Sequence, residues 1–254
     1  MTAIQPSDTD PWASAADVSD ALGMSLAVFG LPGAGKTTLA AEPGALIVDL
    51  EGGAEVLADR SDVMIWPKKD PKTGKVPVVT WDMLDSLSTK LLNKPHPFKI
   101  ICFDTMSKMQ RLALKKVMKA SATPEMPSQP EYGKANELVN TLIEDWCGHA
   151  RENNLCVIFN CHAEEEQDGD VVLIRMSLSP GVRKVMYQAV STIGYLSSNA
   201  RTEERQLLLK STNKITAKIR QPRSGKQIPL EIKNPSIAKI LEHRAQVRQE
   251  RNNG

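Results

Sequence analysis

The run Gly30-Leu31-Pro32-Gly33-Ala34-Gly35-Lys36-Thr37, followed by Thr38, meets the spacing G-x-x-x-x-G-K-[ST] in full. Its residue types suit a phosphate chain. Gly33 and Gly35 free the backbone to turn its N–H groups inward around the anion. Lys36 is long enough to reach β- and γ-phosphates, and the Thr37 hydroxyl is the right length to hold Mg²⁺. Gly30, Pro32, Ala34 and Thr38 complete the loop. The pattern predicts ATP and Mg²⁺ as cofactors, and is silent on what is done with the triphosphate.

Two acids lie at the ends of apolar runs. "KIICFDT" places Asp104 after four apolar residues, where a carboxylate at a strand's end would face the loop and hold the metal's water shell. "ALIVDLEGG" places Glu51 at the end of the strand that follows the phosphate loop. There it would polarise a water attacking the γ-phosphate, a group that an ATPase needs and a kinase does not. The plainer alternatives are a helix-capping aspartate and a surface-turn glutamate.

These residues need strands to carry them. "SLAVFG" reads as a buried strand before the loop. A short helix opens at Lys36 and stops near Glu42, because Pro43-Gly44 cannot continue it. "VMIWP", "FKIICFDTM" and "NLCVIFNCH" are further apolar strands. Thr80 is the expected N-cap of a helix over "WDMLDSLSTKLLN". "SKMQRLALKKVMK" is a basic helix, "ASATPEMPSQPEYGK" a loop, and a long helix covers about 135–153. "AEEEQDGD" reads as an acidic turn, "VVLIRMSL" as strand-like, and "PGVRKVMYQAVSTI" carries a helical apolar pattern. "QLLLK", "ITAKIR" and "IPLEIK" are strand-like, and a final helix starts at Pro235. The expected fold is α/β: a mostly parallel twisted sheet with helices on both faces and an antiparallel C-terminal extension. The expected organisation is a polar arm over 1–22, an ATPase core over 23–243 and a polar tail over 244–254.

The 254 residues are 41% hydrophobic and carry a net charge of +2, so no global field drives the chain onto nucleic acid or membrane. Cys102, Cys147, Cys156 and Cys161 form no C-x-x-C pair, which argues for reduced, buried thiols rather than zinc. Without a signal peptide or an apolar span, the expected location is cytoplasmic, with no membrane partner.

Taken together, "GLPGAGKTT", "LIVDLEGG", "IICFDT" and "VIFNCH" resemble the ATPase core of RecA-like recombinases. Within that group the chain is most similar to the short phage version, the Sak-type single-strand annealing proteins. The resemblance runs from about Ser25 to Leu241, by order of elements more than identity. It implies a RecA-like P-loop NTPase fold, a catalytic role for Glu51 and a magnesium-associated role for Asp104. His162 falls where the family has a polar γ-phosphate sensor, usually Gln. Lys218 and Arg220 resemble a basic pair that reaches the nucleotide of the next subunit, the alternative being a solvated strand edge. Trp12-Ala-Ser-Ala15 faintly resembles the Phe-x-x-Ala segment by which some recombinases dock on a neighbour.

The resemblance further implies single-stranded DNA as partner, in a bacterial host's cytoplasm for a phage protein. It implies self-association into a filament or ring, and a single-strand-binding protein is a further expected partner. The family's two DNA loops correspond to about 120–134 and 163–180. Candidate phosphate contacts are Lys108, Arg111, Lys115 and Lys116 on the basic helix, with Arg175, Arg183 and Lys184 beside the second loop. The acids of "AEEEQDGD" oppose that role. The first function reading is a DNA-dependent ATPase that coats single strands for recombination or annealing. The second is a DNA-metabolism ATPase of the same fold acting through a protein partner. The third, a small-molecule P-loop kinase, lacks an Arg-rich lid.

Overall fold

The computed structural model describes residues 23–119, 126–169, 171–199, 201–220, 228–242 and 244. The Trp12 segment, part of the first DNA loop (120–125), residues 221–227, and 245–254 of the tail lie outside the described residues.

Strand β1 (Met24–Gly30) is buried throughout and runs into the phosphate loop and helix α1 (Lys36–Ala40). Strand β2 (Leu46–Asp49) follows, then a 3₁₀ turn over Gly53–Leu57, β3 (Met64–Trp66), α2 (Trp81–Asn93), β4 (Ile100–Asp104) and α3 (Met106–Lys119). Next come α4 (Gln129–Glu152), β5 (Cys156–Asp168), β6 (Val171–Met176), α5 (Pro180–Ala189) and β7 (Thr192–Ser198). The chain closes with β8 (Arg205–Leu208), β9 (Lys218–Ile219), β10 (Glu231–Lys233) and a helical turn over 237–242.

The main sheet runs β10-β8-β7-β1-β5-β4-β2-β3. Strands β7, β1, β5, β4, β2 and β3 are mutually parallel, whereas β8, β9 and β10 join antiparallel. This is the expected α/β architecture with its antiparallel extension.

Alternation along the strands splits the core in two. Ala27, Phe29, Phe103, Val157 and Phe159 face α2–α5, where Trp146 packs edge-on against Phe103. Leu26, Val28, Ile47, Cys102 and Ile158 face the α1 side. The Trp146 indole donates to Ser88 Oγ at 2.6 Å, so the one polar atom of this buried ring is satisfied. All four cysteines are buried and free, and burial pushes their thiols up.

Three local readings change. The segment "AEEEQDGD" is not a turn: β5 continues through it and pairs with β6 in a hairpin, Glu164 opposite Arg175 and Glu166 opposite Leu173. Helix α4 begins at Gln129, six residues earlier than expected, because the Glu131 carboxylate accepts from Ser128 N–H at 2.6 Å and Pro130 tolerates the first turn. Strand β7, hidden behind the helical pattern of α5, starts only three residues after that helix and sits directly beside β1.

Candidate nucleotide site

The parallel strands end together at one edge, and their last residues on the α1 face are polar. Register places Asp49 beside Asp104, Asp104 beside Asn160, and Gly30 beside His162. The strand ends and the loop enclose a cleft of about 320 Å³ lined by Gly33, Gly35, Lys36, Thr37, Glu51, Asp104, Thr105 and His162, with Pro32, Thr38 and Asp49 at its margin. Ala34 is buried beneath it.

Gly33 and Gly35 have φ of 80° and 87°, the left-handed conformation that the inward-turned loop requires. The Lys36 ammonium donates to the carbonyls of Gly30 and Leu31 at 2.9 and 3.0 Å. Burial pulls its pKa down, against the opposing pull of Asp104 and Glu51. A buried cation whose hydrogen bonds, among the described residues, go to two carbonyls is poised for an anion.

The Thr37 hydroxyl donates to Asp104 Oδ2 at 2.5 Å. Burial pushes the Asp104 carboxyl up, more than the Thr37 and Asn160 side chains and Lys36 pull it down. A divalent cation would reverse that penalty, so the pair fits Mg²⁺. Among the described residues no three His, Cys, Asp or Glu side chains converge as a self-sufficient metal site.

Glu51 sits across the cleft. Its Oε1 accepts from the Thr105 hydroxyl at 2.8 Å, and its Oε2 lies 3.0 Å from His162 Nε2. Burial raises its pKa, but the hydrogen bonds from Thr105 and His162, with the charges of His162 and Arg111, outweigh burial and hold it below the usual range. Such a carboxylate stays ionised and orients a water better than it removes a proton. Because a carboxylate oxygen only accepts, His162 Nε2 is the donor to Glu51, and the buried Nδ1 has no hydrogen-bond partner among the described residues.

Thr105, Asp49 and Asn160 escaped the sequence reading of this cleft. Asp49 Oδ1 accepts from the N–H groups of Glu51, Gly52 and Gly53 at 3.2, 2.8 and 3.1 Å, and Oδ2 from Ala54 at 3.0 Å. It pins the turn that carries Glu51. The signal was present as D-x-E-G-G, an aspartate whose side chain bonds the backbone ahead of it. Asn160 is 0% exposed, and its amide lies beside Asp104 without forming a sound hydrogen bond. Only register reveals it.

The other candidates lie elsewhere. Lys218 and Arg220 are at the opposite edge of the sheet: Lys218 pairs with Ile193 at the start of β7, and the Arg220 N–H bonds the Ser191 carbonyl. Their side chains donate to the Tyr187 and Gln188 carbonyls at the end of α5. They do not reach the phosphate loop of their own chain. Lys108 is half-buried and Arg111, Lys115 and Lys116 are exposed on α3. Lys116 pairs with Asp82. Arg175 bonds Glu166 at 2.8 Å, and Arg183 bonds Glu164 and Glu166 at 3.4 and 3.2 Å, so hairpin acids offset both arginines. Lys184 is exposed on α5.

Residues 22–221, more than three quarters of the chain, match the AAA domain family. The chain belongs to that family. As an AAA domain protein it has the α/β P-loop NTPase fold and is an ATP-hydrolysing enzyme. No curated protein matches the chain. No helix among the described residues is long and apolar enough to cross a membrane.

Proposed function

We propose that this ATPase binds single-stranded DNA for recombination or annealing, and that it assembles so that each nucleotide site lies at a subunit interface. The observation that carries the proposal is the grip of His162 and Thr105 on Glu51, across the cleft from the Thr37–Asp104 pair. A carboxylate so placed suits orientation of water at the γ-phosphate. Thr37 and Asp104 would hold Mg²⁺ on the phosphates, where the ion supplies charge neutralisation. Lys36 would leave the Gly30 and Leu31 carbonyls for phosphate oxygens. His162 would sense the γ-phosphate through the contact it shares with Glu51. Lys218 and Arg220, remote from their own site, would serve a neighbour's.

A DNA path is supported by a groove of about 450 Å³ between α3 and residues 76–82. Lys108, Lys115, Lys116 and Lys119 line it together with Asp82 and Asp49–Gly52, so a strand lying there would touch the turn that carries Glu51. The paired hairpin arginines favour a second reading, an ATPase whose hairpin meets a protein partner rather than DNA. Turnover of ATP with and without single-stranded DNA, read alongside electron microscopy of the same mixtures, separates the two. DNA-stimulated turnover with extended assemblies supports the first. Turnover indifferent to DNA supports the second. Glu51→Gln should bind ATP normally but turn over about 10²–10⁴-fold more slowly; stimulated turnover that survives the substitution refutes the mechanism.

A further inference from the structure

The acids Asp104, Asp49 and Glu51 all lie on one flank of the phosphate loop, on β4 and β2 and the turn after β2. The γ-phosphate end of a bound nucleotide therefore points that way, and its nucleoside end must lie on the opposite flank, toward β7 and β8. On that flank, among the described residues, the Arg205 side chain meets the loop. A Cβ built on Gly35 would lie 2.9 Å from Arg205 Cδ and 3.2 Å from its Nη1, so the guanidinium packs directly against the glycine that precedes Lys36. Strand β7 brings β8 there: the Leu196 carbonyl lies 2.3 Å from where a Gly30 Cβ would stand, and Ser198 pairs with Arg205.

The backbone of Arg205 is clamped. Its N–H donates to Asn234 Oδ1 at 3.1 Å and its carbonyl accepts from Asn234 N–H at 2.7 Å. Its guanidinium makes no hydrogen bond or ion pair among the described residues, although Glu203 and Glu204 are near in sequence and Glu231 bonds Gln206 instead. A rigidly mounted, unpaired guanidinium beside a phosphate-binding backbone is a ready anion contact.

We infer that Arg205 binds the α-phosphate–nucleoside end of the nucleotide held by its own chain. The inference rests on the phosphate loop being the nucleotide site. Because this end is common to ADP and ATP, Arg205 contributes equally to both and does not act on the γ-phosphate.

The test is calorimetric titration of MgADP and of a magnesium-loaded non-hydrolysable ATP analogue into the full chain. The proteins are wild type, Arg205→Ala, Arg205→Lys, Lys36→Ala and the exposed-turn control Arg201→Ala, with Tm recorded for each. Arg205→Ala should weaken both nucleotides by a similar factor of about tenfold, with KM raised and kcat unchanged. Arg205→Lys, which keeps the aliphatic stem and the charge, should recover part of the loss at wild-type Tm. Arg201→Ala should bind as wild type. Wild-type affinity in Arg205→Ala while Lys36→Ala has lost binding would overturn the role of Arg205 alone. A loss confined to the ATP analogue would overturn it too, and failure of wild type to bind MgADP would overturn it together with the nucleotide site.

Discussion

Replacing Asp49 by alanine removes four hydrogen bonds at once. Three of the donors, Glu51, Gly52 and Gly53, are in exposed backbone where water can take over; the fourth, Ala54, is buried and would be left unpaired. Loss of a capping carboxylate costs about 1–2 kcal/mol, and stranding one buried N–H adds about 1 kcal/mol. The expected loss is therefore about 2–3 kcal/mol, or about 5–10 °C in Tm for a chain of this length. Turnover should suffer more than stability, since a displacement of about 1 Å in a water-orienting group costs about 100-fold. Asp49→Asn keeps the oxygen that serves three donors but turns an NH₂ toward Ala54, so it should lose about half the stability and less of the rate. Urea melts and single-turnover ATP hydrolysis at saturating nucleotide measure the two effects separately. If Asp49→Ala melts early yet turns over ATP at the wild-type kcat, Asp49 does not position Glu51 and the reasoning fails.

Glu51 has a depressed pKa, so its contribution to stability is complete above the ordinary value near 4.5 and is lost as pH falls through the depressed one. Urea melts of Glu51→Gln between pH 3 and 6 should show a shallower acid slope than wild type. Burial first, and then the neighbouring Arg220, pull Lys218 down to about 8 from an ordinary 10.5. Stability should rise as pH increases from about 8 toward 10.5, whereas a trans role that needs the charge should weaken over the same window; in Lys218→Met melts and turnover profiles, both dependences should flatten. Asn160→Leu removes a buried amide that lies beside Asp104 without a sound hydrogen bond, so the nucleotide-free protein should gain about 1 kcal/mol while its Tm shift with MgATP shrinks; unchanged melts in both states would show the amide to be inert.

The phosphate loop and both strand-end acids were legible because each is fixed by local pattern, a glycine spacing or an acid ending an apolar run, whereas His162 was reached only through the family resemblance of "VIFNCH". The structure brings Lys36, Thr37, Glu51, Asp104 and His162 to one cleft. What stayed hidden depends on partners distant in sequence. Asn160 looks like any polar residue ending "VIFN" until register sets it against Asp104. Arg205 gains meaning only once β7 and β8 carry it to Gly35. The hairpin was misread because three consecutive glutamates have poor strand propensity, yet Arg175 and Arg183 offset Glu164 and Glu166 across it. Strand β7 was masked because the apolar spacing of α5 runs into "STI" without a break.

Strand β5 spans two mechanical environments without a joint. Its first half, through Asn160, pairs with β1 on one side and β4 on the other; its second half, from Ala163, pairs with β6, and Arg183 of α5 bonds Glu164 and Glu166 there. His162 sits at the transition, still beside Gly30 of β1, one residue before the pairing with β6 begins. A partner that shifted the hairpin would therefore pull on the same unbroken strand that carries the imidazole gripping Glu51.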